Sequence, residues 1–532
     1  MFKLRKFGNL VKNEIIKLAL RGSTQILAVL MVIMSVGICG IFYMSTNYSY
    51  DWYYDDGYKE SDYYGEYIKS NKNEIESLER RLADYEENPE KFDEEYGYKD
   101  YNYVAEWKRD IEYYKKEIER MEFCLEHNID NGWRSTDWRS DYINMVFERD
   151  SFQNNSLLGF AVTDSIRESV KTFLAEDDWR GLYTFFTESQ KAASLLMGAD
   201  SEMVDILTYK FTYALEHDIP PLYGYNDESW KNTALDNLVG LKVVIYEFEQ
   251  RGSDKSDDID KMNMVKDEAA ILQYRLDRNL ERVVDYSESV MGNMTFGLLD
   301  MGYSPNYYSG TDVWTMLEAC VMMISFLSVF IVIIAGGLVS GEFTRGTIKF
   351  LLISPVKRWK IIVSKYIVML LTALAFLTVM FTIFFVLGGA LTGFINMDAV
   401  NLTAHNGRVT AVPALAYYIQ IYLLGAVSII IISTLAFALS SVSRNSGLSI
   451  AVSIAVLIGG QIIDIILHGA AGVDWGRYLI FANSDLIGKV YGSMNMLLPY
   501  KGHTLQASVA VIVVHMVIFL LMAWDGFTKK EI

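Results

Sequence analysis

The stretch Trp314–Leu338, WTMLEACVMMISFLSVFIVIIAGGL, decides the fold. Its one charged side chain is Glu318, a single turn from the start and expected near the membrane surface, in contact with water. A bilayer's hydrocarbon core is about 30 Å thick and needs roughly 20 apolar residues of helix, because a bare peptide group in lipid must find its hydrogen bond within its own segment. Trp314–Leu338 therefore reads as a membrane-spanning helix. Gln25–Met44, Ile361–Leu387, Tyr417–Leu439, Leu448–Leu467 and Ala507–Ala523 meet the same test. The expected fold is all-α, a polytopic membrane protein with six transmembrane helices.

Working outward, the chain divides by charge. Of 66 acidic and 48 basic residues, 47–310 hold 56 and 29, which leaves 10 and 19 for everything else. An acidic, soluble-looking block thus interrupts an apolar, mildly basic one. Positive charge is retained on the cytoplasmic side of membranes. Lys3, Arg5, Lys6, Lys12, Lys17 and Arg21 precede the first span, and Arg345, Lys349, Lys357, Arg358, Lys360 and Lys365 follow the second. Arg444 lies between the fourth and fifth spans, and Lys529 and Lys530 follow the sixth. All four sites fall inside if both termini are cytoplasmic and the acidic block is extracellular. The first apolar core is too long for a secretory signal and no A-x-A site follows it, so an uncleaved span is expected. The resulting division is a cytoplasmic amphipathic interfacial helix over 1–24, a first transmembrane helix over 25–46, an extracellular helical domain over 47–311, and transmembrane helices two to six over 312–532.

Within the acidic block, Val104, Trp107, Ile111, Tyr114, Ile118, Met121 and Leu125 alternate steps of three and four, the a/d seam of a coiled coil. Ile68, Ile75, Leu78, Leu82 and Tyr85 follow the same rule, and Pro89 separates the two runs, so an antiparallel coiled-coil hairpin is expected. Such a hairpin fits either a rod that reaches a partner or a local packing element. Further helices are expected around Val170, Ala214 and Leu272. Tyrosines crowd 48–64 and 303–308, as suits connectors at the lipid headgroups or an aromatic platform for a ligand. Three cysteines, with Cys124 alone in the block, exclude an internal disulfide there. No HExxH or EF-hand spacing points to a metal, and a net charge of −18 without a long basic run excludes a nucleic-acid binder.

The most specific segment is Gly341–Lys365, GEFTRGTIKFLLISPVKRWKIIVSK. Gly341-x4-Gly346-Thr347 lacks the lysine of a phosphate-binding loop and follows no strand, so the chain is not expected to hydrolyse ATP or to be an enzyme. Glu342, Arg345, Gly346, Thr347, Leu351, Leu352, Ser354, Pro355, Val356, Arg358 and Lys365 resemble the segment that links the second and third helices in permease subunits of type-2 ATP-binding cassette (ABC) transporters. Asn13-Glu14-Ile15-Ile16-Lys17 resembles the interfacial helix that opens those subunits, and Lys529-Lys530-Glu531-Ile532 is similar to their usual ending. The large domain after the first span departs from the commonest members and resembles the Gram-positive variants with extended outside domains.

The resemblance implies a cell-membrane permease of an exporter driven by separate ATPase subunits, which bind the ATP and Mg; this chain itself holds no cofactor. The cargo would be amphipathic: a peptide, an antibiotic or a lipid-like compound. One half supplies one docking surface, so a second permease half, identical or homologous, is expected. The implied coupling segment covers 339–361, with Glu342, Arg345, Gly346, Thr347, Pro355 and Arg358 contacting the ATPase beside Glu14 and Lys17. Residues 469–502 match the outside re-entrant segment of the family. His515, Asp464 and His468 are candidates for a translocation path, because ionisable groups inside a membrane are expensive; for the last two, a place at the outer headgroups explains the charge as well. The alternative from another class is a nonenzymatic membrane receptor or sensor of extracellular peptides.

Overall fold

A computed structural model describes residues 2–48, 60–87, 103–132, 135–147, 163–222, 229–252, 256–284, 312–347, 356–466, 474–491 and 504–528. Pro355, His468, the tail 529–532 and most of the tyrosine-rich connectors lie outside these residues, as does the side chain of Asp464.

Helix α1 (Phe2–Ala19) turns through Leu20 and Arg21 into α2 (Gly22–Tyr48). Glu14 and Leu18, one turn apart, face inward from α1 while Ile15, Ile16 and Leu20 stay exposed, the pattern of a helix lying along a boundary.

The regular elements described in the acidic block are helices. Helices α3 (Tyr64–Glu87) and α4 (Tyr103–Glu126) pack against one another through Ile68, Ile75 and Leu78 on one side and Trp107, Ile111, Ile118 and Met121 on the other. Lys72 pairs with Glu122 at 2.9 Å, Glu79 with Lys115 at 3.6 Å, and the Tyr85 ring meets that of Trp107, so the two helices run antiparallel. At the end of the seam Cys124 faces inward and Leu125 is exposed.

Six more helices complete this core: α5 (Ser140–Phe147), α6 (Asp164–Glu176), α7 (Trp179–Leu196), α8 (Ser201–Glu216), α9 (Ser229–Arg251) and α10 (Ser256–Arg278). Thr163, Asp178 and Asp200 cap three of them by accepting from backbone N–H groups of the first turn. Buried Asn232 donates to the carbonyls of Pro220 (2.8 Å) and Leu222 (3.1 Å), fixing the turn between α8 and α9.

The second apolar run is α11 (Val313–Ala319), a 3₁₀ turn at Cys320–Met322, and α12 (Met323–Leu338), followed by the short α13 (Ser340–Thr344). Next come α14 (Arg358–Thr392), strands β1 (Val400–His405) and β2 (Arg408–Pro413), α15 (Ala414–Ser443), α16 (Ser446–Ile465) and α17 (Leu505–Thr528). Between α16 and α17 the described residues form short turns of helix, Asp474–Tyr478, Phe481–Ser484 and Leu486–Tyr491.

Among the described residues, five helices are long and apolar enough to cross a membrane: Gly22–Met44, Val313–Leu338, Arg358–Thr392, Ala414–Ser443 and Leu505–Thr528. The expected span at Leu448–Leu467 corresponds to α16, whose apolar part, Ser446–Gly460, is shorter than the others. The second run and α15 form the centre of the bundle. A Cβ on Gly425 would stand 2.6 Å from Ile324 Cδ1, so glycine lets the Ile324 side chain pack directly against the α15 backbone. Val29 and Ile33 on α2, Leu374 on α14, and Val514 and Leu521 on α17 remain exposed, as befits helices solvated by lipid.

Two findings differ from expectation. The fold is not wholly helical: Asn406 and Gly407, both at positive φ, close a two-residue hairpin between β1 and β2. The hairpin reaches the helical domain, where Gly407 N donates to Asp267 Oδ1 (2.6 Å) and Val284 N to Val400 O (2.9 Å). Glu318 is buried rather than wet, at 5% exposure. Trp314 stacked on Tyr418 covers that end of the span, and the Tyr418 hydroxyl donates to Glu318 Oε2 at 3.3 Å.

The helical domain is also tied to the start of the second run. Arg282 Nε donates to Asp312 Oδ2 at 2.8 Å. Asp312 is the N-cap of α11, in a reciprocal capping box with Thr315, and also accepts from Asn396 Nδ2 at 3.3 Å.

Candidate functional site

Lys365 sits two turns inside α14, in an otherwise apolar run, and is 2% exposed. A buried ammonium requires compensation, and two segments distant in sequence supply it. Its Nζ lies 2.6 Å from Glu14 Oε2 on α1 and 3.2 Å from Glu342 Oε1 on α13. Lys17 closes on Glu14 Oε1 at 3.0 Å from the exposed side, and the Thr347 hydroxyl donates to Glu342 Oε2. Burial pushes the Glu342 carboxyl up, but the Lys365 charge and the bonds from Thr347 and Lys365 outweigh it and hold the group below its ordinary range.

One layer deeper, Arg21 crosses from the α1–α2 turn to the end of α12. Its Nη1 donates to Gly337 O at 3.1 Å, and its guanidinium lies where a Cβ on Gly337 or Gly341 would come within 2.9 or 3.2 Å of Nη2. The two glycines, four apart on one face, form the groove that receives the arginine. Burial, and then the like charge of Arg345, lower the affinity of Arg21 for its proton. Among these groups opens a cavity of about 830 Å³.

The structure therefore brings Glu14, Lys17, Glu342, Arg345 and Thr347 to one cavity. Gly346, at positive φ, lies in the turn that carries Arg345 and Thr347. Arg358 stands apart: its Nη1 is 3.5 Å from Thr528 O at the end of α17. His515 is half-buried, with Nδ1 2.9 Å from Val511 O of its own helix and its ring edge against Phe519. Lys365, read from sequence as part of the family motif, and Arg21, read as one of the positive charges before the first span, were not expected at the site itself. The signal for Lys365 was a lone cation in an apolar run, which demands a partner without naming it.

Residues 282–532 fit a family profile described as a protein of unknown function, DUF2705. The profile begins at the arginine that clamps Asp312, so almost all of the helical domain precedes it. The "Uncharacterized membrane protein YdbK" of Bacillus subtilis is 29% identical over 208 residues, 39% of this chain and 78% of YdbK. No solved structure matches the chain. The "Uncharacterized protein YhcI" of the same organism is 35% identical over 231 residues, 42% of this chain. That similarity covers 70% of YhcI, and the chain belongs to the same family as YhcI.

Proposed function

We propose that the chain is the permease subunit of an ABC exporter, driven by separate ATPase subunits and moving an amphipathic peptide, antibiotic or lipid-like compound across the cell membrane. The observation that carries this reading is Lys365, bridging Glu14 and Glu342. One ammonium joins the interfacial helix, the segment that follows the second span and the third span, so a push on any of them is shared by all three. A buried, hydrogen-bonded ion pair suits that task because separating it leaves an uncompensated charge at a cost of several kcal/mol.

In this reading α16 is the fifth of six spans, both termini are cytoplasmic, and residues 47–311 are extracellular, with α3 and α4 as a coiled-coil hairpin. A second permease half completes the pathway, and ATP and Mg are bound by the ATPases. The helical domain captures or gates cargo, and its attachments at Asp312 and Asp267 would pass movement to the spans. Arg345 and Arg358 offer charge to the ATPase, whereas Glu342 and Glu14 act from within.

The test is co-purification of the tagged chain with an ATPase subunit from its host membrane, followed by cargo-stimulated ATP hydrolysis in proteoliposomes. Arg345→Glu and Arg358→Glu should keep the protein in the membrane and abolish the stimulation. A chain that never isolates with an ATPase, or full stimulation in both variants, refutes the proposal.

A further inference from the structure

The cavity between α1 and α13 carries an imbalance of charge that the ion pairs do not remove. Lys17, Arg21, Arg345 and Lys365 line it with only two carboxylates, Glu14 and Glu342, leaving two positive charges in excess. Both carboxylates are engaged by Lys365, and each has a further partner in Lys17 or Thr347. The excess therefore resides on the two guanidiniums. Arg345 is exposed, and Arg21 Nε is buried with no hydrogen-bond partner among the described residues. Two like charges thus line one cavity, an arrangement that an anion bound there would relieve.

Apart from Asn13 and Thr347, the rest of the wall is apolar or glycine. Ile16 and Leu20, 46% and 72% exposed, flank the cavity on α1, with Leu338 and Val356 opposite. An anion-binding cavity edged by exposed aliphatic side chains at the end of a bundle of apolar helices has the chemistry of a lipid headgroup site. A guanidinium pair matches the oxygens of a phosphate, and a net positive cavity favours a headgroup of net negative charge over a zwitterionic one.

We propose that this cavity binds phosphate, in the form of the headgroup of an anionic phospholipid of the surrounding leaflet, with Arg21 and Arg345 as its ligands. The inference does not depend on any transported substrate or ATPase. Bound lipid would fill the space between α1 and the end of α12 and make the docking of α1 depend on membrane composition.

Native mass spectrometry of the delipidated full chain tests it with three probes: dihexanoyl-phosphatidylglycerol, dihexanoyl-phosphatidylcholine and inorganic phosphate. The phosphatidylglycerol should bind about tenfold or more tightly than the phosphatidylcholine, and Arg21→Gln and Arg345→Gln should each weaken it by about tenfold, the size of one charge-assisted hydrogen bond. Arg21→Lys, which keeps the charge, should lose less than Arg21→Gln. Arg345 is exposed, so Arg345→Gln tests the site even if Arg21→Gln does not fold. Equal binding of both lipids, or unchanged phosphatidylglycerol binding in Arg345→Gln, overturns the site. Inorganic phosphate binding as tightly as phosphatidylglycerol overturns the lipid assignment and leaves a free-phosphate site.

Discussion

Replacing Lys365 with methionine isolates the contribution of the buried cluster. Lys365 and Glu14 are 2% and 4% exposed, and the Glu342 side chain 20%. Methionine fills similar volume but leaves two carboxylates facing each other without their shared cation. Breaking a buried pair in this way costs about 3–5 kcal/mol. Lys17→Met removes a partner that is 56% exposed, and the loss should stay within about 1 kcal/mol. The two lysines thus make opposite predictions although both contact Glu14. Denaturant titration of the purified chain in detergent should show a large fall in midpoint for Lys365→Met and little change for Lys17→Met. Limited trypsin digestion gives a local readout, because Lys12 and Lys17 already face outward and an undocked α1 can unwind there to admit the protease. At about 1.4 kcal/mol per tenfold, cleavage there should accelerate about 100-fold or more in Lys365→Met. The triple variant Glu14→Gln, Glu342→Gln, Lys365→Met, with no buried charge left unpaired, should recover most of the loss. Equal effects of the two single lysine variants, or a triple variant no better than Lys365→Met, would refute the assignment.

The depressed Glu342 pKa makes its contribution to stability complete above the ordinary carboxyl range near about pH 4.3, and lost as pH falls through the folded value. The stability difference between wild type and Glu342→Gln should accordingly be largest near neutrality and shrink in acid; a difference constant from pH 7 to pH 3 contradicts it. Cys124, 1% exposed, has its thiol pushed up to about 11 by burial, against an ordinary 9.0, so maleimide labelling at pH 8 should run about 100-fold slower in the folded domain than after unfolding. Gly407 sits at φ +74°, and Gly407→Val should cost the hairpin about 1–2 kcal/mol, seen as faster amide exchange at Thr403 and Thr410, which face one another as a hydrogen-bonded pair, with the spans unaffected. Unchanged exchange there would mean that the turn is not held as described.

Much of this fold was legible because lipid imposes so simple a rule: long apolar runs announce helices whatever surrounds them. Val313–Leu338 and Arg358–Thr392 appear where their composition places them, displaced only by caps such as Asp312 and Lys357. The strands were readable in principle, since Asn406-Gly407 between Val400–His405 and Arg408–Pro413 is a strong hairpin signal. Six-residue strands beside helices of 30 and 35 residues contribute little to any averaged pattern. The cluster was half legible. Lys365 in an apolar helix advertises a missing counter-charge, but Glu14 is 351 residues away and nothing local selects it from the other carboxylates. Glu318 failed for a related reason: depth along a span is readable, whereas cover by Trp314 and Tyr418 arises only when separate helices meet.

The second span is tied at both ends, which limits how it can move. At one end Asp312 holds Arg282 of the helical domain and Asn396 beyond α14; at the other, Gly337 accepts from Arg21, and Glu342 on α13 pairs with Lys365. A helix of 26 residues is about 39 Å long and stiff along its axis, so displacement at one end is delivered to the other. The exception is the three-residue 3₁₀ turn at Cys320–Met322. A 3₁₀ helix rises about 2.0 Å and turns about 120° per residue, against 1.5 Å and 100° in an α-helix. Converting those three residues to α-helix would shorten the span by about 1.5 Å and rotate one end against the other by about 60°. With buried ion pairs at both ends, that change cannot be taken up silently. It has to move the helical domain through Arg282, or α1 and α14 through Lys365, and this makes the turn the place where the two halves of the proposed transport cycle would be linked.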